Sequence, residues 1–218
     1  MLLSLGAAAA NKILGYLAAI IQTGLFLDTA FIITATFSGG LGAGLLASLI
    51  TTAIGGICHH LFWGLDWFWG WYFYGLCFAA TALVTWLFAR SFPKECMPLR
   101  LNSRQLTPSS GPENPLLDRI IMLSLLSLAL WFIISVMGSF ISVFNSQILH
   151  VIPAEEWIEN DFKLGLLQQG LSPVIAEFLA RVPINIIDRP ISVLIGYGTS
   201  LLLKKIQSLT VPPGAADH

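Results

Sequence analysis

The sequence predicts an all-α, polytopic membrane helix bundle of about six transmembrane helices. Of its 218 residues, 56% are hydrophobic and only 11% are charged, whereas soluble domains carry about 25% charged residues. The mean hydropathy of +0.77 likewise indicates a membrane protein. Since a soluble surface needs polar side chains to cover it, the lipid bilayer is the solvent that suits this composition.

The N-terminal quarter of the chain holds two long apolar segments. The first, 2–24, lacks the basic start of a signal peptide, so we expect it to remain as the first helix. The second, 27–57, is too long for one upright span and contains a cluster of glycines. We therefore expect a break at the glycines, between a short helix at 27–37 and a second helix at 41–58.

The rest of the chain alternates between apolar and polar segments, and the prolines divide the last apolar stretch. The elements that this pattern predicts are an aromatic turn at 59–70, a span at 71–88, a loop at 90–119, a span at 120–144, a loop at 146–163, a re-entrant or tilted segment at 164–181, a last span at 183–205 and a disordered tail at 209–218, all within one transmembrane domain at 1–208.

Charge predicts how the bundle is oriented. The 90–119 loop is basic and the last span ends in Lys204 and Lys205, so the positive-inside rule places both in the cytoplasm. The acidic 146–163 loop then lies outside. With the 27–58 stretch counted as two helices, both termini are cytoplasmic.

Small residues recur four positions apart in three places. Such spacing lets two helix backbones approach closely, either within the bundle or against a partner subunit. Packing within the bundle is the more ordinary use. The pairs are Gly6 with Ala10, Gly15 with Ala19, and Gly40 with Gly44.

The aromatic turn is a candidate ligand site. Aromatic faces could stack on a planar molecule while an acidic or imidazole group fixes its orientation. Tryptophan also anchors helices at membrane interfaces, which is the more common role. The histidines next to Cys58 suit a metal ion, but adjacent residues converge poorly and we predict no metal site. The candidate ligand-binding residues here are His59, His60, Asp66, Trp67 and Trp69.

Charged residues inside apolar segments are a second candidate site, because a charge in the membrane interior usually has a partner or a function. Glu177 and Arg181 are four residues apart and share a helix face, which suits either a structural ion pair or a ligand contact. Asp188 and Arg189 are adjacent, so we expect their side chains to point apart and each to need another partner. Asp28 enters a helix N-terminus, where it can cap the helix or contact a ligand.

Two stretches resemble a known family. The run FLDTAFIITATFSGGLGAGLLASLITTAIGG at 26–56 looks like the second and third helices of the substrate-binding S-components of energy-coupling factor transporters. The run VIAEFLARVPINIIDRPISVLIGYGTSLLLKK at 174–205 resembles the closing helix of such proteins. The resemblance implies six helices with both termini in the cytoplasm of a bacterial inner membrane.

The resemblance also implies a function. An S-component captures a small, vitamin-like molecule at the outer face and passes it to other membrane subunits that ATPases drive. The chain has no Walker A motif, so ATPase subunits would act in trans. No catalytic motif is present, and we expect neither enzymatic activity nor a cofactor, a metal or a nucleic-acid partner.

Two other functions remain open from the residues alone. One is a non-transporting subunit that anchors or scaffolds a larger membrane complex through its small-residue faces and its basic loop, which also suits anionic membrane lipid. The other is the sensory membrane module of a signalling system.

Overall fold

A computed structural model describes residues 1–21, 25–63, 68–93, 115–150 and 158–210. The described chain forms helices without strands, which confirms the predicted all-α bundle. The helices are α1 (Leu2–Ile20), α2 (Ala30–Trp63), α3 (Phe68–Ser91), α4 (Pro115–Gln147), α5 (Ile158–Gln168) and α6 (Pro173–Thr210).

Four of these helices are long and apolar enough to cross a membrane: α2, α3, α4 and α6. A shorter apolar stretch lies in α1, over Leu2–Ala18. The protein is therefore embedded in a membrane, but the described chain contains four long apolar helices rather than the six spans predicted.

Helix α2 bends back on itself at Gly40. This residue has φ 76° and ψ −172°, which is not helical. A Cβ atom at Gly44 would collide with the side chain of Thr36, whereas residues eight positions apart in a straight helix are about 12 Å apart. Ile32 and Ala47 also share one apolar cluster. The arms 30–39 and 41–63 therefore lie side by side, and the predicted break at the glycine cluster is confirmed.

Helix α6 corrects the prediction for the end of the chain. The sequence predicted two segments, 164–181 and 183–205, separated by proline. Instead, α5 ends at Gln168 and one helix of 38 residues runs through Pro183 and Pro190. Proline removes one backbone hydrogen bond, but helices in membranes tolerate it because neighbouring helices surround the freed carbonyl.

The connecting segments are shorter than predicted. The aromatic turn expected at 59–70 is largely helical, since α2 continues to Trp63 and α3 begins at Phe68. Both ends of the basic loop are helical as well, because α3 includes Arg90 and α4 begins at Pro115. Helix α6 extends to Thr210, and the rest of the predicted tail, 211–218, lies outside the described residues.

The helices pack as an antiparallel bundle. The second arm of α2 lies along α3, with Thr52 near Gly75 and Ser48 donating to the carbonyl oxygen of Phe78. Helix α6 crosses the start of α2 at Gly196, where a Cβ atom would lie 2.5 Å from the Ala30 carbonyl oxygen. This glycine therefore brings the two backbones together and places α6 beside the first turn of α2.

One apolar cluster fixes one end of the bundle. It joins Phe37 of α2, Met122 and Leu126 of α4, and Val193 and Tyr197 of α6. Residues beyond this cluster, at the end of α3 and the end of α6, therefore lie on the same side of the molecule.

Candidate functional site

Polar side chains follow one face of α6 through the bundle. Glu177, Arg181, Asn185 and Arg189 are spaced four residues apart, so they lie one above another on the helix. Serines of α4 face them: Ser142 donates to Glu177 over 2.8 Å, and Asn185 donates to the Ser135 hydroxyl over 3.0 Å. The interface between α4 and α6 is thus polar along much of its length.

The first two residues of this face, Glu177 and Arg181, lie beside Lys163 of α5. We call these three residues the end cluster. The Lys163 ammonium lies 2.9 Å from Glu177, whereas the Arg181 Nε lies 3.7 Å from it. Arg181 also lies over the ring of Tyr74, with 5.8 Å between its guanidinium carbon and the ring centroid. Glu177 and Arg181 are thus paired as their spacing predicted, but the closer partner of Glu177 comes from α5.

The last residue of this face, Arg189, belongs to a second group of polar residues. We call this group the central cluster and define it as Asn11, Lys12, Asp28, Asp188 and Arg189. Asp188 and Arg189 were expected to point apart, which is wrong. The long arginine side chain folds back, so that its Nη2 lies 2.8 Å from the Asp188 carboxylate. Both side chains are buried, which makes this direct pair the structural part of the cluster.

The pair ties α6 to the segment that precedes α2. The other oxygen of Asp188 accepts from the backbone N–H of Leu27 over 2.8 Å, and Arg189 donates to Thr29 over 2.8 Å. Leu27 has φ 47°, which is unusual for a side chain of this type. The bonds from α6 hold the chain in this conformation as it enters α2.

Asp28 does not cap α2. The N–H of Phe31 in the first turn is satisfied by the Asn11 side chain of α1, over 2.8 Å. This leaves Asp28 to face the cations: its Oδ1 lies 3.8 Å from Arg189, which is an ion pair but too long for a hydrogen bond.

Lys12 occupies the other side of the central cluster. Its ammonium lies over the Trp71 ring, 4.4 Å from the centroid, and it attracts Asp28 electrostatically. Among the described residues, no carboxylate comes within ion-pairing distance of Lys12. Lys12 and Asp28 are therefore opposite charges in one site that do not touch.

Four buried polar atoms of the central cluster lack a hydrogen-bond partner: Asn11 Nδ2, Asp28 Oδ1, Asp188 Oδ2 and Arg189 Nε. Such atoms are rare in proteins, and away from water each costs about 1–3 kcal/mol. The Asp28 side chain keeps 25% of its surface exposed. The cluster therefore combines unsatisfied donors and acceptors with a partly exposed aspartate.

The candidates in the aromatic turn are placed only in part. His59 and His60 belong to α2 and Trp69 belongs to α3, but their side chains lie outside the described residues, as do Asp66 and Trp67 altogether. In the described part of the chain, no three His, Cys, Asp or Glu residues lie close enough together to hold a metal ion.

The small residues have different surroundings. Gly44 packs inside the bundle against Thr36 and Ala82, and Gly40 forms the bend. A Cβ atom at Gly15 would lie 3.4 Å from the Phe26 carbonyl oxygen, while one at Gly6 would meet nothing within 4 Å. Ala10 is half-buried in α1, and the side chain of Ala19 lies outside the described residues.

Two shallow apolar grooves lie on the outside of the bundle. One, of about 320 Å³, lies between α4 and α6 beside Trp131 and Pro190. The other, of about 410 Å³, lies between α3 and α4 beside Phe73 and Phe140. Their linings are almost wholly apolar, which suits lipid or a helix of another membrane protein.

No family model, no curated protein and no solved structure matches this chain. The site therefore rests on its own geometry. Sequence reasoning missed Lys163, Asn185 and the roles of Asn11 and Lys12. Asn185 could have been found from its spacing, because it continues the four-residue series of Glu177 and Arg181.

Proposed function

We propose that this protein is the solute-binding subunit of a membrane transporter and that the central cluster binds the solute. One observation carries the proposal: Lys12 and Asp28 lie in the bundle as opposite charges without a direct contact, among buried polar atoms that lack partners. A small polar molecule between them would satisfy both charges and the neighbouring amide.

The two halves of the central cluster differ in how well their charges are paired. Charged groups in the membrane interior are costly, and they persist where they pair or serve a function. Asp188 and Arg189 pair directly and hold α6 to the start of α2. That structural role needs neither Lys12 nor the unsatisfied oxygen of Asp28, so a ligand role is the better account of those groups.

The energy source in this proposal is a partner. The resemblance to S-components, carried by the runs at 26–56 and 174–205, supports uptake driven by ATPase subunits in trans. The proposal places the chain in a bacterial inner membrane with both termini in the cytoplasm. The solute then enters from the outer face.

The second candidate is a non-transporting subunit that anchors or scaffolds a larger membrane complex. The observation that favours it is the pair of apolar grooves beside Trp131 and Phe140, which suit a neighbouring helix. In that case the central cluster would only hold α1, α2 and α6 together.

The test is purification of the tagged protein in mild detergent from its native membrane, followed by mass spectrometry of bound proteins and small molecules. We expect ATPase subunits and one bound solute, and we expect Asp28→Asn to lose the solute. The matched control is Asp118→Asn, which changes an exposed aspartate at the start of α4 and should keep it.

The two candidates predict different results. Membrane partners without an ATPase, together with no bound solute, would support the scaffolding subunit and reject transport. Equal solute retention by Asp28→Asn and Asp118→Asn would reject the central cluster as the binding site.

A further inference from the structure

We infer that the ligand of the central cluster is a small zwitterion with both a carboxylate and an ammonium group, as in a free amino acid. This inference rests on the proposed function and adds the chemical class of the solute. It follows from the charge balance of the cluster and from the kind of polar atom that lacks a partner on each side.

The charge balance sets the net charge of the ligand. Lys12 and Arg189 contribute two positive charges, and Asp28 and Asp188 contribute two negative charges. Within the described residues, Asp28 is ion-paired with Arg189 at 3.8 Å, and Lys12 has no ion-paired carboxylate. Since a net charge is costly inside a membrane, a ligand without net charge keeps the cluster neutral, whereas an anion or a cation would leave one charge uncompensated.

The polar atoms set the two ends of the ligand. The Lys12 ammonium and the Asn11 Nδ2 are donors on consecutive residues of α1, and a carboxylate is the acceptor that suits a donor of either kind. The Asp28 Oδ1 is an acceptor without a hydrogen bond, and an ammonium group donates to it. A molecule with only one of these groups would leave the other side of the cluster unsatisfied.

The Trp71 ring is also compatible with a zwitterionic ligand. It already holds the Lys12 ammonium over its face, 4.4 Å from the ring centroid, by a cation–π contact. The ring would keep the Lys12 ammonium in place while that group binds the carboxylate of the ligand.

The experiment measures binding of the standard amino acids to the purified full chain, by thermal stability and by titration. Every amino acid that binds is compared with the two molecules obtained by removing one charged group. For phenylalanine these are 3-phenylpropionate and 2-phenylethylamine; for alanine they are propionate and ethylamine. We expect the zwitterion to bind at least about 10-fold more tightly than either, since a hydrogen bond to a charged group is worth about 1.5–3 kcal/mol.

Matched variants test the two ends of the ligand separately. Lys12→Met and Asp28→Asn should each weaken amino-acid binding by roughly 10- to 100-fold. The controls Lys205→Met and Asp118→Asn change exposed residues of the same type and should bind as the unchanged protein does. If Lys12→Met does not fold, Lys12→Arg is expected to retain binding and Lys12→Gln to lose it.

The inference and the proposed function fail in different ways. The zwitterion inference would be wrong if the solute bound in native membranes lacked a carboxylate or an ammonium group. It would also be wrong if none of the amino acids bound. Either result would leave the proposal of solute binding intact. Equal binding of an amino acid and its matched carboxylate would also overturn the zwitterion inference. A chain that carries no solute from its native membrane would instead reject the proposed function.

Discussion

Glu177 has two cationic neighbours at different distances. Lys163 of α5 lies 2.9 Å away, while Arg181 lies 3.7 Å away on the same helix. Glu177 also accepts a hydrogen bond from Ser142, and its side chain is buried. Since electrostatic attraction increases as charges approach, Lys163 should contribute more to the stability of the end cluster than Arg181 does.

The first prediction concerns this difference. Lys163→Met should lower the free energy of unfolding, and the loss should be much smaller in a Glu177→Gln background. We expect a coupling energy between Lys163 and Glu177 on the order of 0.5–3 kcal/mol, larger than that between Arg181 and Glu177. The measurement is a double-mutant cycle of denaturant unfolding in detergent.

The control for this cycle is Lys205→Met, an exposed lysine in the last part of α6, which should not couple to Glu177→Gln. A stronger coupling for Arg181 than for Lys163 would show that the pair within α6 dominates, as the sequence alone suggested.

At this scale the sequence predicts contacts along one helix but not contacts between helices. The four-residue spacing places Glu177 and Arg181 on one face of α6 whatever the rest of the fold does. The pairing of Lys163 with Glu177 depends on the turn between α5 and α6, which includes Gly170 at φ 85°. The Asp188–Arg189 contact was mispredicted because a flexible arginine reaches its own neighbour.

Among the elements, α2 depends most on a single backbone conformation. Gly40 has φ 76° and ψ −172°, a region that is essentially restricted to glycine. Gly42, two residues later, is helical and exposed. A Cβ atom at either position would meet nothing within 4 Å, so the two glycines differ in backbone conformation and not in available space.

The second prediction uses this contrast. Gly40→Ala should lower the free energy of unfolding by about 1–3 kcal/mol, because alanine is strained at this φ and ψ. Gly42→Ala should leave stability unchanged or raise it by up to about 1 kcal/mol, since alanine is the better helix former. Denaturant unfolding in detergent measures both, and equal effects would contradict a bend at Gly40.

The elements show what composition can and cannot predict. A glycine cluster in an overlong apolar stretch predicted the break in α2, because the excess length had to turn somewhere. The prolines of α6 predicted a break that does not exist, because a helix surrounded by other helices retains its path through Pro183 and Pro190. Glycine frees the backbone to bend, whereas proline removes one bond that the environment can offset.

For the whole molecule, the contacts define two ends. The apolar cluster of Phe37, Met122 and Tyr197 lies towards one end, with the last residues of α3 and α6 beyond it. The other end contains Asn145 of α4, which donates to the Gly70 carbonyl oxygen, and the contact between Lys163 and Glu177. These contacts show which residues lie at the same end of the bundle. The positive charge of the 90–119 loop predicts which of the two ends faces the cytoplasm.

The third prediction places these ends in the membrane. In a variant without Cys58, Cys77 and Cys96, single cysteines are introduced by Asp161→Cys on α5 or Ser208→Cys on α6; both positions are exposed. A maleimide that does not cross membranes should label the first in intact cells and the second only after permeabilisation. Because the two sites lie at opposite ends of the bundle, their labelling should never coincide in intact cells.

Ser91→Cys at the end of α3 is the internal control, because it should behave as Ser208→Cys does. Labelling of all three variants in detergent shows that each thiol is reactive. If Ser91→Cys and Ser208→Cys are labelled in intact cells and Asp161→Cys is not, the bundle is correct but inverted, and the solute site opens differently from our proposal. Labelling of Asp161→Cys and Ser208→Cys from one side would contradict the bundle itself, because α6 would then not cross the membrane.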